Sequence, residues 1–188
     1  MKDVQRLSDE ELVELVRSKD QELYREIVLR YQDKLLRYAT YLLHDEQRAA
    51  DAVQQSLIKA YINLNGFDKK KKFSSWIYRI VHNESINCIK KKKREISLDA
   101  NSWVKETIQS NEDIMTDLSV KDGQIALQKC IDTLPIRYKG PLSLYFFEEK
   151  SYEEISDILK IPIGTVGTRI NRGKKILKQI IQPSSVNE

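Results

Sequence analysis

The residues of this chain best suited to chemistry are cations and amides. Two runs, Lys69–Lys72 and Lys90–Arg94, place four and five cations in succession. A third set, Thr168, Asn171, Arg172 and Lys175, shares one helical face with Gly164 at about 100° per residue. Dense cations hold phosphates. Hydroxyl, amide and guanidinium groups without a nearby carboxylate suit the edges of base pairs in a major groove. Phe67 stands in a loop beside Lys69–Lys72, where an aromatic face could receive an unstacked base while the cations track the strand. Groups for bond-making are missing: His44 and His82 have no carboxylate or thiol at ligand spacing, and there is no P-loop, GxGxxG or nucleophile elbow. Neither a metal, a cofactor nor catalysis is expected.

The elements that position these groups read as helices. Ser151 and Glu154 make a capping box that starts a helix at Tyr152, with Tyr152, Ile155, Ile158 and Leu159 on one face. Pro162 breaks it. A second helix, about 164–182, carries the apolar stripe Val166, Ile170, Leu177 and Ile181 opposite the polar face. Two helices joined by a tight turn match a helix-turn-helix. Helices at 123–133 and 137–147 supply the core behind it. An ordinary helical hairpin with a solvated basic face remains the alternative reading of this stretch.

The first half reads as a helical bundle. Ser8 and Glu11 cap a helix over about 9–17. A longer helix, 21–43, carries Leu23, Ile27, Tyr31, Leu35, Tyr38 and Leu42. The helix 46–64 should bury Ala50, Val53, Leu57 and Tyr61, leaving Asp51, Gln54, Gln55, Ile58 and Lys59 outside. After Asn65-Gly66 and the first lysine run, a helix from 73 to about 93 should bury Trp76, Ile77, Ile80 and Val81 and end on Lys90–Arg94.

Composition agrees: 32% of residues are charged, with 6 Gly and 4 Pro, which favours an all-α fold. Between two basic ends, residues 96–122 hold Lys105 and Lys121 against Asp99, Glu106, Glu112, Asp113, Asp117 and Asp122. We expect two small helical domains, 1–95 and 121–188, joined by a flexible acidic linker, 96–120. Cys88 and Cys130 have no CxxC spacing, so free thiols in a reducing cytoplasm are expected. The charged N-terminus is unlike a signal peptide and no stretch is long enough to enter a membrane.

Three blocks in order carry a family resemblance. They are AADAVQQSLIKAYINL, FDKKKKFSSWIYRIVHNESINCIKKKKR and LPIRYKGPLSLYFFEEKSYEEISDILKIPIGTVGTRINRGKKIL. The chain resembles the extracytoplasmic-function (ECF, group 4) sigma factors of bacterial RNA polymerase, in the sigma-70 family. The resemblance implies a first, sigma-2-like domain that docks on the β′ clamp of core polymerase through Asp51, Gln54, Gln55 and Ile58. That domain would melt and capture the −10 strand with Phe67, Lys69, Lys70, Lys71, Lys72, Arg79, Asn83, Asn87, Lys90, Lys91, Lys92, Lys93 and Arg94. It implies a second, sigma-4-like domain that docks on the β flap and reads the −35 element with Thr165, Thr168, Arg169, Asn171, Arg172, Lys174 and Lys175. It also implies promoter DNA as ligand and a stress-linked anti-sigma partner, often membrane-anchored. The chain departs from the family where Gln55 and Asn87 replace an acid and Gly167 replaces a cation. A duplex-operator regulator, an enzyme acting on nucleic acid and an inactive mimic are the competing readings. The 67–94 block, the missing catalytic groups and the intact cations, respectively, weigh against them.

Overall fold

The computed structural model describes residues 4–98 and 127–181, and among them there is no strand. The helices are α1 (Asp9–Ser18), α2 (Tyr24–Leu43), α3 (Glu46–Ile62), α4 (Phe73–Leu98), a short α5 at 127–132, α6 (Ile136–Phe146), α7 (Tyr152–Leu159) and α8 (Ile163–Ile181). Helices α1–α4 make the first unit and α5–α8 the second.

Local chemistry sets the ends. Both capping boxes form: the Ser8 and Ser151 hydroxyls accept from the backbone N–H of Glu11 and Glu154, whose carboxylates accept from the serine N–H. Asp45 caps α3 by accepting from the Arg48 N–H at 3.0 Å. His44 and Lys160 close α2 and α7 in the left-handed region, at φ 52° and 53°. The start of α4 is capped from a distance. The Phe73 N–H donates to the Glu10 carboxylate of α1 at 2.8 Å, which sets a negative charge at a helix N-terminus.

The first unit buries Leu12, Val13 and Val16 of α1, Ile27, Tyr31, Leu35 and Tyr38 of α2, and Phe73, Ile77, Tyr78 and Val81 of α4. The expected stripe of α3 is corrected. Val53 is buried as expected and Leu57 half-buried, but Ala50 and Tyr61 are not; the helix buries Ala49, Ala52, Ser56 and Ala60 beside Val53. Small side chains let α3 lie close against α2 and α4. Ala50 faces solvent, and Tyr61 stays at the surface, its hydroxyl bonded to Gln21 and its ring 4.9 Å from that of Tyr24. Helix α4 also runs past 93 to Leu98, so the first residues assigned to the linker are helical. The remainder of that linker, and the expected start of a helix at 123, lie outside the described residues.

In the second unit α6 packs on α8 at close range. A Cβ added at Gly173 would stand 2.6 Å from Leu142 Cδ1 and 3.5 Å from Tyr138 Cβ. Leu142 is fully buried, so an added methyl would force packed side chains to shift. At Gly167 an added Cβ would meet Tyr152 at 3.5 Å, an ordinary contact.

The two units pack on each other, α6 against α2 and α7 against α4, and their buried residues form one continuous core. Gly140 of α6 sits where a Cβ would come 3.4 Å from His82 Cε1. The His82 Nδ1 is hydrogen-bonded to the Tyr38 hydroxyl at 2.9 Å. Burial lowers the pKa of His82 to about 4, so its ring is neutral at physiological pH. The Tyr41 and Phe147 rings lie 4.6 Å apart across the same seam.

Gly173→Ala should lower stability by about 1–3 kcal/mol through overpacking. Gly167→Ala should leave it unchanged or raise it by up to ~1 kcal/mol through helix propensity. Urea unfolding of the two variants, followed by circular dichroism, checks both; equal effects would mean that α6 and α8 are not in close contact at Gly173.

Candidate nucleic-acid and polymerase interface

The 64–72 loop is held from α1. The Arg17 guanidinium donates to the Leu64 carbonyl, through Nε at 2.9 Å, and to the Phe67 carbonyl at 2.6 Å. It also lies 5.8 Å from the centre of the Phe67 ring. Phe67 is therefore corrected as a base contact. It is 4% exposed, with its ring 5.4 Å from Phe73 and 5.5 Å from Trp76. The loop anchors its aromatic residue inward and presents its lysines. Lys69, Lys70, Lys71 and Lys72 are all exposed around a turn in which Asp68 accepts from the Lys70 N–H at 3.0 Å.

Along α4, Asn83 and Asn87 are exposed and Arg79 is half-buried. Lys90, Lys91, Lys92, Lys93 and Arg94 are exposed on the turns that follow. Lys91 stands 3.9 Å from Glu95, a spacing that leaves it largely solvated. Two of the candidate cations already meet carboxylates of α7: Lys72 Nζ lies 3.1 Å from Glu154, and Arg79 lies 3.6 Å from Asp157. Partial burial works against the ionised form of both acids, but neighbours more than offset it. Glu154 is held below the ordinary carboxylate range by the Ser151 N–H and Lys72, and Asp157 by Lys160, Arg79 and Lys71. Nothing in the local sequence pattern marks α7 as a partner of α4.

On α8 the polar face is presented as the spacing predicts. Asn171, Arg172 and Lys175 are exposed, as is Thr168, whose hydroxyl donates back to the Gly164 carbonyl at 2.8 Å. Thr165 and Arg169 flank them, partly covered. Lys174 is corrected: its ammonium lies 4.5 Å from the Tyr145 ring centre and 5.3 Å from that of Phe146, over α6 and away from the reading face. Its position four residues after Ile170 and three before Leu177 puts it beside the core stripe.

Asp51, Gln54, Gln55 and Ile58 are exposed together on α3. Sequence reasoning missed the extension of this face. Ile62, four residues beyond Ile58, is 70% exposed, Ile58 is 47% exposed, and Leu29 of α2 is 60% exposed. The signal was the i, i+4 spacing of two isoleucines on a face otherwise polar. Exposed isoleucines one helical turn apart suit a protein partner.

Two family models match the chain, Sigma-70 region 2 over residues 27–95 and Sigma-70 region 4 over residues 124–177. The chain belongs to the ECF sigma factors of the sigma-70 family. It is 36% identical over 174 residues to the ECF RNA polymerase sigma factor SigW of Bacillus subtilis, covering 89% of this chain and 93% of that one. It is 32% identical over 189 residues to the ECF RNA polymerase sigma-E factor of Salmonella typhimurium, covering 95% and 97%. The fold is similar to that of RpoE from Bartonella quintana, solved with the anti-sigma factor NepR (TM-score 0.68, 22% identity, 86% and 98% covered). It is also similar to CnrH, solved with the cytosolic domain of CnrY (TM-score 0.67, 19% identity, 94% and 99% covered). As a sigma factor, the chain binds core RNA polymerase and directs it to promoters. Among the described residues no helix is long and apolar enough to cross a membrane.

Replacing Ile58 and Ile62 together by Ser should weaken binding to core polymerase by at least about tenfold while leaving the thermal midpoint unchanged, because both side chains already face water. Competition for core against a labelled wild-type chain measures this; undiminished binding would move the docking face elsewhere.

Proposed function

We propose that the two units divide promoter recognition between them. The first unit docks on the β′ clamp through Asp51, Gln54, Gln55, Ile58 and Ile62. It captures the opened −10 strand along a track from Lys69–Lys72 through Arg79, Asn83 and Asn87 to Lys90–Arg94. The second unit docks on the β flap and sets α8 in the −35 major groove, where Asn171 and Arg172 reach base edges and Lys175 holds phosphate. Thr165, Thr168 and Arg169 flank that contact. The observation that carries this reading is the separation of one carboxylate-free recognition face on α8 from a second, denser cation track on α4 within one chain.

The physics supports the division. Opening a duplex costs unstacking energy, and captured strand offsets it. Cations along α4 supply sequence-independent attraction, and amide and guanidinium groups on α8 supply selection. Two weak contacts held on one polymerase gain through effective concentration, so the chain alone binds a duplex promoter poorly. We further infer a role as initiation factor with no catalytic step of its own. Its place of action is the cytoplasm, under control of an anti-sigma protein that masks the polymerase-binding faces.

Run-off transcription with sigma-free core polymerase and genomic DNA tests the proposal, and discrete new transcripts are expected. Replacing Lys90–Arg94 by Ala should lower open-complex yield on every promoter by about tenfold or more and flatten its dependence on salt. Asn171→Ala or Arg172→Ala should cost about 1–3 kcal/mol in binding and relax selectivity at −35 alone. The same sequence-independent loss from both kinds of change would refute the assignment of α8.

A further inference from the structure

The first lysine run has no apolar residue of its own. Between Phe67 and Phe73 the chain reads Asp68 and then Lys69–Lys72, and all five are exposed. Four successive like charges repel one another and favour a loose, extended loop. The turn is ordered all the same, and both of its ends are held by α1. At the first end Arg17, with a side chain 17% exposed, turns its guanidinium on main chain. Its Nε donates to the Leu64 carbonyl at 2.9 Å. One terminal nitrogen donates to the same carbonyl and, at 2.6 Å, to that of Phe67. At the second end the Glu10 carboxylate, two helical turns before Arg17, accepts from the Phe73 N–H at 2.8 Å. Glu14 lies between these anchors. It accepts from the other terminal nitrogen of Arg17 at 2.8 Å and stands 3.9 Å from Lys69. Within the turn the Lys70 N–H donates to the Asp68 side chain, and the Lys71 N–H to the Asp68 carbonyl at 2.9 Å. One edge of α1 thus grips backbone on both sides of the lysine run, while Leu12, Val13 and Val16 bury its other side.

We propose that Arg17 is a positioning residue for strand capture, acting through Lys69–Lys72. The inference rests on the reading of that run as strand contacts. A planar fork of donors fixes the path of two carbonyls at once, which a single ammonium does less well. The fork acts on main chain, so it sets where the turn leaves the core whatever side chains follow. Glu10 sets where the chain re-enters the fold at α4. A turn held at both ends presents its cations already ordered, and an incoming strand does not bear the cost of ordering them. Without the fork the same lysines still attract DNA at a distance but no longer hold it in one place. Arg17 therefore governs strand opening and not docking on core polymerase, whose proposed face lies on α3.

The test uses the full chain on core polymerase, at a promoter recovered by run-off transcription. Permanganate reactivity at −10 gives the yield of open complex, and competition against a labelled wild-type chain gives affinity for core. The chains compared are wild type, Arg17→Met, Arg17→Lys, Lys69–Lys72 replaced by Ala, and that replacement combined with Arg17→Met. Arg17→Met keeps the apolar stem and removes every donor. The proposal predicts an open-complex yield about tenfold lower in Arg17→Met, an intermediate yield in Arg17→Lys, and wild-type affinity for core in both. In the chain without the four lysines, Arg17→Met should have little further effect, because nothing is left for it to position. An equal loss from Arg17→Met with and without the lysines overturns the proposal, since it marks a general effect on the fold. So does weakened core binding in Arg17→Met and Arg17→Lys alike. If replacing the lysines lowers the yield and Arg17→Met does not, the proposal fails and the strand-contact reading stands. If replacing the lysines leaves the yield unaltered, the strand-contact reading of this run fails and the proposal falls with it.

Discussion

A carboxylate cannot be taken out of water without partners, and Glu148 has been taken out almost completely. Arg37 meets it with two donors and Tyr78 with a third. The bond to Glu148 raises the pKa of the Arg37 guanidinium. Burial first, and then the Glu148 charge, push the Tyr78 phenol far above its ordinary value. These groups come from α2, α4 and the turn between α6 and α7, so satisfying one charge fixes how the second unit sits on the first. The placement of α7 along α4 follows, and with it the pairing of Glu154 and Asp157 with Lys72 and Arg79. Beside this polar cluster the Tyr41 and Phe147 rings meet across the seam. Such a contact holds the two units in register.

Within the first unit the aromatic cluster of Tyr31, Phe67, Phe73 and Trp76 plays the corresponding role. It fixes the start of α4, which projects the second lysine run outward on a rigid rod. Arg17 ties the preceding turn down, so the lysines of 69–72 stand on an ordered turn. The basic track is thus a surface feature built on an apolar and aromatic foundation. The same logic applies to α8, whose reading face exists because Val166, Ile170, Gly173 and Leu177 bury the opposite side against α6.

What depends on neighbours in sequence was legible there: both capping boxes, the Pro162 break, the polar face of α8 and the core stripe of α2. What depends on contacts far along the chain was not. Phe67 reads as a loop aromatic beside lysines, and only Arg17, fifty residues earlier, turns it inward. Lys174 lies among cations in the sequence but is drawn onto Tyr145 and Phe146 by packing of α6 on α8. The stripe of α3 was partly misplaced, at Ala50 and Tyr61, because close packing against two helices selects Ala49, Ala52, Ser56 and Ala60 beside Val53. Ile62 escaped notice because the outward face of the helix was followed only as far as Lys59. The pairing across the seam involves residues 82 and 111 apart, beyond any local pattern.

In the proposed division of labour one chain reads duplex at one end and opened strand at the other, only when carried by polymerase. Footprinting of a promoter found by run-off transcription tests it most directly, with permanganate for unstacked thymines and nuclease for protection. With core polymerase and the chain together, reactive thymines are expected at −10 and protection at −35, and with the chain alone neither. Firm protection of the duplex by the chain alone, or protection at −35 with no unstacking at −10 in the complex, would contradict it.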